Sequence, residues 1–207
     1  MQNIILATNS KYKQQLFQRL NLKFEAESAD IDESPHRGED APTLAKRLAH
    51  QKAVKLAKLK KGCWIIGADQ CAQNRDTLVS KPLSHAHAVE DLQAYSGNRV
   101  EFYTSVCLIS PDGQSEQFTD KTVVEFRILN LLEIENYLRI EQPYDCAGSF
   151  KAEGLGISLF HAIKTEDPTA IIGLPLIQLS QTLRDQGFDC YSRNTYSTNI
   201  GSKSSES

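Results

Sequence analysis

No run in the 207-residue sequence approaches the roughly 20 consecutive apolar residues that a membrane-crossing helix needs. No signal peptide is read at the start, where residues 1–7 pass straight into Thr8-Asn9-Ser10-Lys11 without a long apolar core or a small-residue cleavage site. An excess of basic charge is also missing. Lys plus Arg is 23 against 26 for Asp plus Glu, a net charge of −3. That balance argues against a nucleic-acid-binding module, which needs a dense basic surface. The five cysteines, Cys63, Cys71, Cys107, Cys146 and Cys190, are scattered and form no CxxC pair. They read as reduced thiols, not as a disulfide framework or a zinc site, so a cytoplasmic protein is expected. Neither the P-loop nor the Rossmann glycine pattern occurs, and no internal repeat is seen.

What is present is ordinary globular composition, 40% apolar and 24% charged, enough for one sizeable domain over residues 1–191. Residues 192–207 are rich in Ser and Asn, carry almost no apolar side chains and read as a disordered tail. Asn3-Ile4-Ile5-Leu6-Ala7-Thr8 predicts a short buried strand, and Ser10 caps a following helix. A second strand is expected at 24–29 and an acidic loop at 30–42. The strongest helix pattern covers 43–59, with Ala45, Leu48, Ala49, Ala53, Leu56 and Ala57 on one stripe. A buried strand at 63–68 should end at Asp69. Ser84 caps a helix to Tyr95. Residues 99–110 and 114–129 flank Pro111-Asp112-Gly113 as a hairpin. Asn130 caps a helix to Glu141, a strand follows at 156–163, and Pro175 opens a last helix. Alternating helices and strands around a central hairpin predict an α/β or mixed α+β fold.

Five clusters carry residue types suited to chemistry. Ser10-Lys11-Tyr12-Lys13 lies at a strand-to-helix turn, where free N–H groups and the helix dipole favour an anion. Asp32-Glu33 offers carboxylates, the ligands that hard divalent cations choose. Lys52 falls inside the apolar stripe of its helix and needs a partner for its charge. Asp69, after a buried strand, is placed to bind a metal or to take a proton from water, and Lys81-Pro82 follows in a short loop. The segment from Glu141 to Gly156 is rich in small residues that let backbone approach a ligand. Each cluster alone also fits a helix cap, a loop or a solvated charge.

Their order and spacing together are specific. Leu6-Ala7-Thr8-Asn9-Ser10, Asp32-Glu33, Lys52-Ala53, Gly67-Ala68-Asp69-Gln70, Lys81-Pro82, Tyr103-Thr104, Cys146-Ala147-Gly148-Ser149-Phe150 and Gly173-Leu174-Pro175-Leu176 form a series that resembles the Maf nucleotide pyrophosphatases over residues 2–188. The resemblance implies a fold like that of the inosine-triphosphate pyrophosphatases: a curved mixed sheet flanked by helices, with two lobes around a cleft. It implies cleavage of a nucleoside triphosphate, a small-molecule substrate, between the α and β phosphates, with a divalent metal, Mg²⁺ or Mn²⁺. It also suggests a homodimer. Carried over by position, Asp69 is the proton acceptor, while Ser10, Lys13, Glu33, Lys52 and Lys81 line the phosphate and metal site. The division of metal duty between Glu33 and Asp69 stays open. The family usually shows Ser-Pro-Arg-Arg in the first loop. Here Lys11 and Tyr12 replace the proline and first arginine, and Lys13 keeps the second arginine's charge without its bidentate fork.

Ala147-Gly148-Ser149-Phe150-Lys151-Ala152-Glu153-Gly154 resembles the branch of the family that prefers 7-methyl-GTP, as do Phe102-Tyr103-Thr104 and Glu166-Asp167-Pro168. In that branch the positions of Tyr12, Gln70 and Glu153 set specificity. Chemistry agrees, because N7 methylation makes guanine a cation. Glu153 can accept from the base's N–H edge, and Tyr12 can stack on the charged ring with about 0.5–2 kcal/mol of cation–π attraction. The expected role is removal of 7-methyl-GTP before it enters nucleic acid. The alternatives are the same chemistry on dTTP, UTP or CTP, and a low-turnover nucleotide-binding regulator of cell division.

Overall fold

A computed structural model describes residues 3–191 of the protein; the tail expected at 192–207 lies outside the described residues. Among them, seven strands form one mixed sheet. β1 (Ile4–Ala7) lies between β2 (Glu25–Ala26) and β3 (Trp64–Asn74), parallel to both. β3 pairs antiparallel with β5 (Arg99–Ile109), β5 with β6 (Ser115–Phe126), and β6 with β7 (Phe160–Lys164). The short β4 (Thr77–Val79) folds back on the far end of β3. No helix among the described residues is long and apolar enough to cross a membrane.

Among the described residues, five α-helices cover the sheet: α1 (Lys11–Gln18), α2 (Ala41–Leu59), α3 (His85–Tyr95), α4 (Leu131–Glu141) and α5 (Leu176–Asp185). Strand alternation sorts them. Ile5, Ala7, Ile65, Cys107 and Ile109 point to one face and pack on Ala49, Ala53 and Leu56 of α2. The opposite face carries two separate cores. Ile66, Ala68, Val106 and Leu108 pack on α1 and α5 near one end of the long strands. Near the other end, Ala72, Val100, Phe102 and Val124 pack on α3 and α4. Gln70 sits between these two cores, and Asp69 faces α2 on the other side of the sheet.

The mixed sheet flanked by helices is the expected architecture, and the caps at Ser10, Ser84 and Asn130 are found where the sequence puts them. Several boundaries differ, among them the end of the second hairpin strand, which stops at Phe126 and not at 129. The second strand shrinks to Glu25–Ala26, which pairs with Ile5 and Leu6 of β1. The long helix begins at Ala41, since the Asp40 carboxylate caps it by accepting from Thr43 N at 3.0 Å and Pro42 fits its first turn. Residues 155–159 wind into a 3₁₀ turn, and the strand begins only at Phe160.

One further difference matters most. The strand expected to stop at Asp69 runs on to Asn74, with Asp69 opposite Ser105 and Gln73 opposite Glu101. The strand that stops is β1, whose Ala7 lies opposite Gly67. Beyond that point one edge of β3 has no neighbour from β1, so a crevice opens at the C-terminal end of a parallel strand. Ligands collect at such places in α/β sheets.

Candidate active site

A cleft of about 1040 Å³ occupies this crevice. The residues carried over from the family resemblance line it: Ser10, Tyr12 and Lys13 from the start of α1, Glu33 from the acidic loop, and Lys52 from α2. Asp69 and Gln70 come from β3, Lys81 from the loop before α3, and Glu153 from the turn after α4.

The centre is an ion triad. The Lys52 ammonium lies 2.5 Å from Asp69 Oδ1 and 2.6 Å from Glu33 Oε1. Its side chain is only 14% exposed, so the apolar-stripe position does bury it, and the two carboxylates answer the need for partners. Burial works against the ammonium, but Asp69 and then Glu33 outweigh it and hold its pKa above the usual lysine value. Asp69 is buried because β3 continues past it and α2 covers its face. Its neighbour in the acidic loop, Asp32, does not join. That carboxylate accepts from Ser34 N at 2.9 Å and turns away from the cleft lining.

Lys13 is the second cation. Burial is the main effect on it and lowers its pKa; Asp69 opposes that shift and Lys52 reinforces it. Its methylene stem runs over Gly173, where an added Cβ would lie 3.1 Å from Lys13 Cε. Gly173 holds φ at +125°, open to glycine and strained for other residues, which explains a glycine at the head of Gly-Leu-Pro-Leu. Ser10 serves as the helix cap, its Oγ accepting from Lys13 N at 3.4 Å. The first-turn N–H groups of any helix lack intrahelical acceptors, so this wall favours an anion. Lys81 is exposed at the rim.

Gln70 points to the opposite face from Asp69, by alternation along β3. Its Nε2 has three acceptors, Thr104 Oγ1 at 3.0 Å, Ala170 O at 2.8 Å and Ile171 O at 3.0 Å. These partners fix the amide orientation and leave Oε1 as the atom free for a ligand. Glu153 is exposed on the cleft wall. The turn that carries it is held by Glu141, whose Oε1 accepts from Leu155 N at 2.7 Å and whose carbonyl accepts from Lys151 Nζ at 2.8 Å.

Sequence reasoning missed three supports. Cys71, two residues beyond Asp69 on the same face of β3, places its thiol 3.4 Å from Asp69 Oδ2; burial pushes its pKa up, so it stays a thiol. Strand periodicity through Asp69 was the signal for it. Ser149, buried and at φ +63°, donates to Asp91 Oδ2 at 2.6 Å and ties the 146–150 loop to α3. Asp167 is a remote cap for α5. Its Oδ2 accepts from Ile177 N at 2.6 Å and its Oδ1 from Thr169 N at 2.8 Å, ten and two residues away, spacings no local cap pattern displays. Asp167→Ala removes a buried carboxylate and leaves two part-buried N–H donors without their acceptor. It should cost about 2 kcal/mol in urea unfolding. A loss below half of that would show that water replaces the carboxylate.

Comparison with solved structures gives the class of fold. The chain is similar to a Ham1 protein from Staphylococcus aureus and to another from Coxiella burnetii, each with a TM-score of 0.51. The identities are 15% and 16%. The alignments cover 89% of this chain and 99% and 100% of those chains. This is the inosine-triphosphate-pyrophosphatase-like architecture expected from the sequence.

The chain belongs to the Maf-like protein family, whose model matches residues 3–186. Curated relatives similar to it are named 7-methyl-GTP pyrophosphatase. One from Xanthomonas oryzae pv. oryzae is 47% identical over 91% of this chain and 98% of its own length. One from Cupriavidus metallidurans is 43% identical over 91% and 95%, and one from Bordetella avium 46% over 90% and 94%.

Proposed function

We propose that this chain is a nucleoside-triphosphate pyrophosphatase that hydrolyses 7-methyl-GTP to 7-methyl-GMP and pyrophosphate, keeping the modified nucleotide out of nucleic acid. One observation carries the reading. A single cleft holds a phosphate-suited wall of lysines, a buried carboxylate beside it, and an aromatic ring with carboxylates beyond. The relatives' names agree with it.

Lys13 and Lys81, with the start of α1, hold the triphosphate. Asp69 takes the proton of the water whose oxygen attacks the α-phosphorus. The bond from that phosphorus to the α–β bridging oxygen breaks, and pyrophosphate leaves with its charge met by Lys52 and Lys81. Among the described residues no group of three or more His, Cys, Asp or Glu forms a metal cluster. The donor set still fits Mg²⁺ or Mn²⁺, because Glu33 and Asp69 are hard oxygen ligands close enough together to share one cation, as they share the Lys52 ammonium. Such ions are commonly held by one or two carboxylates plus substrate phosphates and water. When bound there, the cation neutralises phosphate charge and eases deprotonation of the attacking water. The reading assigns base selection to Tyr12 by stacking, to Gln70 through its free Oε1 and to Glu153 through its carboxylate.

The test is pyrophosphate release from 7-methyl-GTP, GTP, dTTP, UTP and CTP with Mg²⁺ or Mn²⁺. The expected result is kcat/KM for 7-methyl-GTP at least tenfold above GTP. Tyr12→Ala should lower that preference about fivefold, the size of one cation–π contact. Preference for a pyrimidine would overturn the base assignment and keep the enzyme. Binding without turnover of any nucleotide would overturn the enzyme.

A further inference from the structure

Within the cleft Lys13 and Lys52 stand beside the carboxylates of Asp69 and Glu33, and further carboxylates gather around Tyr12. The Tyr12 phenol is held above its usual pKa, first by burial, then by Cys146 and after it by the carboxylates of Glu153, Asp145 and Glu141. Two of these carboxylates line the cleft itself, Asp145 and Glu153.

Asp145 was not singled out by the sequence. It sits in a turn closed by Cys146 N donating to Pro143 O at 3.1 Å, and its side chain is exposed on the cleft wall. Among the described residues its carboxylate has one hydrogen-bond partner, the Cys146 thiol at 3.5 Å on Oδ1. A thiol is a weak donor and brings no positive charge. Neither Asp145 nor Glu153 enters an ion pair among the described residues. Lys151, on the same loop, is turned to the Glu141 carbonyl. Carboxylates without an ion-pair partner attract a cationic ligand over a neutral one and disfavour an added phosphate.

We propose that Asp145 is a second specificity-determining carboxylate, acting with Glu153 to favour a cationic N-alkylated purine over the neutral parent base. The proposal rests on the reading of the cleft as a 7-methyl-GTP site and adds a residue to it. Its chemistry is long-range charge, not hydrogen bonding to one edge, so charge and not shape is the property to vary.

The experiment measures affinity for 7-methyl-GMP and GMP by calorimetry, and kcat/KM for the two triphosphates, in wild type, Asp145→Asn and Asp145→Glu. Asp145 is exposed, so the variants should fold, and melting temperature checks this. Asp145→Asn should lower the methylated-to-unmethylated ratio about fivefold, the order expected of one unit charge acting across a partly wet cleft. Asp145→Glu should restore most of it. Added salt should erode the wild-type ratio and erode the Asp145→Asn ratio less. If wild type prefers the methylated nucleotide and Asp145→Asn keeps the same ratio, this proposal fails and the base assignment stands. If wild type shows no preference in either measurement, both fail.

Discussion

Asp69→Asn lowers kcat for pyrophosphate release by about a thousandfold, the range that a positioned proton acceptor contributes. Asparagine keeps the shape of the side chain and can still hydrogen-bond Lys52, but it cannot take a proton and has no charge to offer a cation. The fold survives, because Lys52 keeps Glu33 at 2.6 Å as its counter-ion. KM should change much less than kcat, since the lysines that hold the phosphates remain. Steady-state release of pyrophosphate, with circular dichroism as a check on folding, reads both effects. Activity within tenfold of wild type would reduce Asp69 to a structural partner of Lys52 and move the search for the base to Glu33.

Gly67→Ala should cost about 3 kcal/mol or more in stability, the upper range for overpacking, because the obstacle is backbone. A Cβ at residue 67 would lie 2.1 Å from Ala49 O, 2.7 Å from Ala53 N and 2.9 Å from Ala53 Cβ. No rotamer change relieves such contacts; α2 itself must move off the sheet. Lys52 rides on that helix next to Ala53, and Asp69 lies two residues beyond Gly67, so the same shift pulls the ion pair apart. Urea unfolding and activity at low temperature should therefore fall together. A loss under 1 kcal/mol would mean that α2 slides away easily, and the close approach would then not be what holds Lys52 in place.

The two substitutions probe one arrangement from opposite sides. Asp69→Asn tests the charge chemistry of the triad with packing intact. Gly67→Ala tests the packing that brings α2 against β3 while every charged residue is still present.

Local chemistry was legible in the sequence wherever the interaction is local. The caps at Ser10, Ser84 and Asn130 each join residues three apart, and the chain between is too short to leave much freedom. The stripe on α2 exposed Lys52 as an ill-placed charge, because helical periodicity alone says which face a residue occupies. The Pro111-Asp112-Gly113 turn set the hairpin, and a patterned series of short motifs marked the candidate residues.

What lay beyond the sequence depends on chain segments far apart. Whether a strand ends at Asp69 depends on which neighbours pair with it, and β5 offers partners from Glu101 to Ile109 while β1 stops at Ala7. That mismatch in length, not any residue at position 69, makes the cleft. The partners of Lys52 come from positions 33 and 69, the cap of α5 comes from Asp167, and the charge around Tyr12 comes from positions 145 and 153. The sequence by itself determined which elements form and which side chains can carry charge, since those follow from periodicity, capping and residue type. Only the tertiary structure decided which charges meet and which stay unpaired, because hydrogen bonds and Coulomb forces act over a few ångströms of space, without regard to separation along the chain.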